Sequence, residues 1–140
     1  MLADYGADFF ADLMIGHISP VTTWYVALLT EIPYPSIDGT DLADYEVVDA
    51  SYERKAMAES DFDDSSGGVV SSNVAITWDA AVDNWSEVVG YALVDDATAG
   101  NVYVFGEFPE SMIVVSGQYL SIPAGMISIG LSTTEAGNDD

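Results

Sequence analysis

The chain has no cysteine, two basic residues and one histidine. Without thiols neither a disulfide framework nor a thiolate metal site can form, and the redox compartment stays open. The single histidine, His17, sits beside Gly16 with no G-x-S-x-G elbow anywhere, so a Ser-His-acid catalytic unit has no assembled signature. No catalytic residue is assigned, and no cofactor site, since neither GxxxxGK[ST] nor a strand-linked GxGxxG occurs. No apolar run approaches the ~20 residues needed to cross a bilayer, and the first residues lack the basic region of an export signal. A soluble chain is expected. Two cations also exclude the usual route to nucleic acid and anionic lipid, which is neutralisation by Lys and Arg. Direct contact with either is not expected unless cations bridge.

What is abundant is acid: 24 Asp plus Glu, a formal net charge of −22 in 140 residues. Like charge on a compact surface repels itself. Salt shortens the screening length to ~3 Å at 1 M, so a folded chain of this charge suits brine. Disordered acidic segments carry few apolar residues, whereas 49% here are hydrophobic. A halophilic folded protein follows, with no bound group assigned beyond the Na, K, Mg or Ca ions that such a surface attracts. At this length a single domain, 1–140, buries roughly two-thirds of its unfolded surface.

Hydrophobic periodicity predicts a short helix within Ala3–Ile18, capped by Asp4 and ended by Gly16. Prolines bound an apolar strand over Thr23–Thr30, and Ile32–Leu42 is a loop. Tyr45–Phe62 is ambiguous, with alternation at Tyr52, Arg54, Ala56 and Ala58 favouring an extended strand and Ala56–Ser60 also compatible with a helix. Beyond the turn at Asp63–Gly68, strands are expected at Val74–Trp78, Val88–Val94, Val102–Phe108, Met112–Val115, Tyr119–Ile122 and Met126–Leu131, with a hairpin turn at Asp95–Asn101 and a frayed tail over Thr133–Asp140. Six or seven short strands at this spacing predict an all-β fold, an antiparallel β-sandwich (jelly-roll-like) with a short N-terminal helix.

Few residues carry candidate chemistry. Asp61, Asp63, Asp64 and Ser65 gather oxygen ligands as calcium loops do, but the twelfth position from Asp61 is Ser72, where an EF-hand needs Glu. No metal site is assigned; Asp61, Asp63 and Asp64 are weak cation candidates. Trp78 falls in a predicted strand and is expected in the core, with Trp85 as a core residue capping a loop or, if exposed, an anchor for a partner or a sugar. Arg54 is expected to be structural, its guanidinium tying together several carboxylates, on the strand face it shares with Tyr52.

The order of segments resembles a family of small tailed-phage virion proteins of the tail fibre, minor tail or head decoration type. The similarity is carried by Trp24-Tyr-Val-Ala-Leu-Leu-Thr30 with Ile32-Pro33, by Ser51-Tyr52-Glu53-Arg54-Lys55-Ala56, by Asn73–Trp78, by Asp83-Asn-Trp85 with Gly90–Gly100, and by Ser116–Ile129. It implies a structural, non-enzymatic virion protein, found in the virion and in host cytoplasm during assembly. With the acidic surface it implies a virus of haloarchaea. The expected partners are other virion proteins of capsid or tail, in a homo-oligomer. A free-standing domain without a fibrous stalk favours a capsid decoration or turret subunit. The alternatives are a tail fibre or baseplate component, or an enzyme or carbohydrate-binding module acting on the host envelope.

Overall fold

The computed structural model describes residues 1–130. The tail expected over Thr133–Asp140, and Leu131 at the end of the last expected strand, lie outside the described residues. The elements run α1 (Asp4–Met14), β1 (Thr23–Leu29), a 3-10 turn (Asp41–Tyr45), β2 (Lys55–Ala58), a second 3-10 turn (Glu59–Asp61), β3 (Val69–Ser71), β4 (Ile76–Thr77), β5 (Val88–Val94), β6 (Val102–Met112), β7 (Ser121–Ile122) and β8 (Ser128–Gly130). All pairings are antiparallel. A four-stranded sheet runs β2-β1-β5-β6, and two ribbons, β3-β8 and β4-β7, form a second, sandwich-like layer.

β1 shows why the central sheet forms where it does. Its sequence Trp-Tyr-Val-Ala-Leu-Leu is apolar on both faces, as a strand covered on both sides requires. Trp24, Val26 and Leu28 face the ribbons and meet Ile76, Trp78, Ile122 and Ile127. Ala27 and Leu29 face the other way, against Ala3, Ile37 and Leu42. β5 and β6 repeat the arrangement, with Tyr91 and Leu93 on one side and Ala92, Val94, Val102 and Phe105 on the other. Each fully buried aliphatic chain here contributes about 1.5–3 kcal/mol.

The helix forms without the expected Asp4 cap: the N-cap is Ala3, which offers no side-chain acceptor. Asp4 begins the first turn, and its amide donates to the Pro35 carbonyl at 2.9 Å. Asp4 is thus placed to complement the helix dipole rather than to cap it. Gly16 ends the helix as expected, at φ 79°. Its amide reaches Leu13 O while that of His17 reaches Asp12 O, the paired bonds of a Schellman ending.

The short strands are shorter than alternation suggested. Only Lys55–Ala58 of Tyr45–Phe62, Ile76–Thr77 of Val74–Trp78 and Ser121–Ile122 of Tyr119–Ile122 pair in ladders. Neighbouring amides are satisfied singly instead, as where Trp78 N donates to Leu120 O and Trp85 N to Val114 O. No separate strand spans Met112–Val115, because β6 runs on to Met112 and the turn at Gly117, φ 87°, closes back on Ala81.

Candidate functional site

The densest polar construction in the described residues surrounds Arg54, the residue before β2. Its guanidinium is buried, with side-chain exposure of 3% against 6% for Glu46. Nη2 donates to Glu46 Oε1 at 2.7 Å and to Gly39 O at 2.6 Å. Nε lies 3.1 and 3.2 Å from the two Glu46 oxygens. Nη1 donates to Asp96 O and Ala99 O, both at 3.0 Å. Every guanidinium hydrogen is therefore engaged, on one carboxylate and three carbonyls rather than on the several carboxylates expected from composition. The carbonyls come from the loop before the first 3-10 turn and from the β5–β6 hairpin turn, so one side chain fastens two loops to the edge of the sheet. The loops meet at Gly39, where a Cβ would overlap the Ala99 carbonyl; only glycine permits that approach.

Tyr52 joins the same cluster. Its hydroxyl donates to Glu46 Oε2 at 2.6 Å and accepts from Leu28 N at 2.9 Å. β2 pairs with β1 only from Thr23 to Val26, so beyond it Tyr52 completes the β1 edge together with Val47, whose amide donates to Leu28 O. Burial raises the Tyr52 pKa far above the usual phenol value, and the Glu46 charge raises it further. The phenol stays protonated and remains a donor.

Trp85 packs edge-on to Tyr52, centroids 6.1 Å apart. At 5% exposure it presents no surface anchor for a partner or a sugar. Its indole nitrogen is buried with no hydrogen-bond partner among the described residues. Trp78 is buried on the ribbon side and donates to Glu53 O at 2.8 Å. Tyr52, Arg54 and Trp85 are thus brought together, and Trp78 is tied to the intervening Glu53. Lys55, on the other side of the strand, makes looser pairs with Glu53 at 3.4 Å and Asp79 at 3.9 Å.

Asp61, Asp63 and Asp64 lie elsewhere. Asp61 Oδ2 accepts from Ala58 N, and Asp63 Oδ1 accepts from Asn73 Nδ2. Two of the three carboxylates are turn acceptors, and among the described residues no group of three or more acidic or histidine side chains is arranged around a cation position. His17 is exposed past the end of α1.

A surface groove of about 410 Å³ opens over the cluster, walled by Glu46, Val47, Val48, Asp49, Tyr52 and Thr98 among others. The only cation in its wall is saturated. Asp49 is likewise occupied, accepting from Ser51 Oγ at 2.5 Å, Asp83 N at 2.8 Å and Val82 N at 3.1 Å. The Ser51 hydroxyl above all, then the two loop amides, hold its carboxyl well below the usual carboxylate range. The Arg54 guanidinium and the Asp49 carboxylate in the groove wall are thus both engaged within the fold.

Sequence reasoning placed Arg54 and Tyr52 together but missed Glu46, Gly39 and the hairpin carbonyls. Glu46 carries no signal that sets it apart among 24 acids, since Val47 beside it is buried but Val48 is 87% exposed. Carbonyl acceptors leave none either.

A family model described as Podophage GP4 fiber I protein gp80 matches residues 3–130. No curated protein matches the chain.

Proposed function

The chain belongs to the podophage GP4 fiber I protein gp80 family, and on that premise we propose that it is a structural, non-enzymatic component of a virus tail, a fibre part that binds other virion proteins. The observation that carries this reading is the span of the match, which covers almost the whole described fold. A fibre family favours the tail over the capsid decoration or turret role that the size of the domain suggested. The Arg54 cluster supports a structural part: it locks two loops to a sheet edge, with every guanidinium hydrogen engaged inside the fold. The charge of −22 further suggests a virus whose host lives in concentrated salt, a haloarchaeon, with assembly in that host's cytoplasm. Repetition suits such a part, since linked copies turn later contacts into intramolecular ones.

Mass spectrometry of purified particles tests the reading. The chain is expected in multiple copies per particle. Its absence from particles that are complete and infectious would remove the proposal.

A further inference from the structure

In a chain of this charge, three long stretches carry no Asp, Glu, Lys or Arg: Leu13–Thr30 runs from the end of α1 through β1, and the other two are Ser65–Trp78 and Ser111–Gly130. These two are far apart in sequence, yet the fold brings them together. Ser65–Trp78 supplies β3 and β4, Ser111–Gly130 supplies β7 and β8, and the pairings β3-β8 and β4-β7 join them into the ribbon layer. Ile76, Ile122 and Ile127 turn inward to the core. The outward side carries Val69, Val74, Thr77, Tyr119, Ser121 and Ala124, all exposed, with Tyr119 at 66%. The Thr77 and Ser121 hydroxyls meet across the ribbon at 2.9 Å and fix the outward direction of that pair. Carboxylates stand at the border: Asp63, whose amide donates to Ser71 O and whose side chain holds Asn73, and Asp79, one residue past Trp78.

We propose that this charge-free outer face is where a second copy of the chain docks, pairing copies within the multi-copy part that the fibre reading, on which this inference rests, describes. Two bodies of net charge −22 repel over most of their surfaces. They approach at least cost where neither presents a carboxylate, and the chain itself supplies the matching uncharged face. Interface centres are depleted of charge and enriched in aromatic residues such as tyrosine, and self-association through one patch closes by symmetry. A basic partner would be drawn to the acidic remainder of the surface; this face offers it nothing to neutralise.

The test is light scattering on the full chain after size exclusion in about 3 M NaCl, where screening removes long-range repulsion. Wild type is expected as an oligomer of the 14.9 kDa chain. Tyr119→Asp and Ser121→Asp, each at an exposed position, are expected to fall to the monomer mass with unchanged circular dichroism. Tyr34→Asp adds the same charge to an exposed tyrosine near Tyr45, away from the ribbons, and is expected to stay oligomeric. Monomeric wild type, an oligomer that survives both face variants, or equal dissociation by Tyr34→Asp would each overturn the assignment. The assay uses the isolated chain, so it can fail while the chain is still found in particles, which separates this inference from the tail reading.

Discussion

At the scale of single residues, the two cations have different roles because their surroundings differ. Arg54 is buried with its carboxylate, so removing it strands Glu46 and three carbonyls in a low-dielectric setting. Breaking a buried pair from one side costs about 3–5 kcal/mol. Lys55 pairs with carboxylates whose side chains are 69% and 73% exposed, and such pairs contribute ~0–1 kcal/mol. Thermal melts at about 3 M NaCl are expected to show a large loss for Arg54→Ala and almost none for Lys55→Ala, because salt screens the exposed pairs and not the buried one. Comparable losses for both would contradict the clamp. Tyr52→Phe deprives the Leu28 amide and Glu46 of a partner while keeping the ring on Trp85. It is expected to destabilise by about 1–3 kcal/mol, measured by chemical denaturation.

Between elements, carboxylates that composition assigns to a solvated surface act as turn acceptors. Asp38 receives the amides of Thr40 and Asp41, Asp96 those of Thr98 and Ala99, and Asp95 that of Asn101 and the Tyr103 hydroxyl. Asp49 joins the loop before β2 to the Val82–Asp83 loop. Its carboxyl titrates below its unfolded value near ~4, so its contribution is full above that pH and is lost as the pH falls toward the lower folded value. The stability gap between wild type and Asp49→Ala is therefore expected to be widest at neutral pH and to narrow in acid, followed by melts at constant high salt. A gap independent of pH would refute this. The β5–β6 hairpin was legible in the sequence because strand alternation flanks a turn of Asp, Thr, Gly and Asn. α1 was legible from its period, though not its cap. Of the ribbon strands, β4, β7 and β8 were legible as strand-like stretches and β3 was not: with two or three paired residues each, tertiary packing rather than local pattern decides where pairing starts and stops. Their joint charge-free face appears only once segments some fifty positions apart are stacked.

For the whole molecule, the core is conventional and the surface charge is not. Dilution lengthens the screening distance to ~10 Å at 0.1 M, and repulsion among unpaired carboxylates then opposes the compact state. The melting temperature is expected to rise between about 0.1 and 3 M NaCl, read by scanning fluorimetry; equal values would remove the halophilic reading. That reading concerns where the protein works. What it does is addressed most directly by cryo-microscopy of purified particles carrying a labelled copy of the chain. The account predicts label and density for the fold of residues 1–130 on the tail, repeated about its axis. Density confined to the capsid, or particles that assemble and infect without the chain, would contradict it.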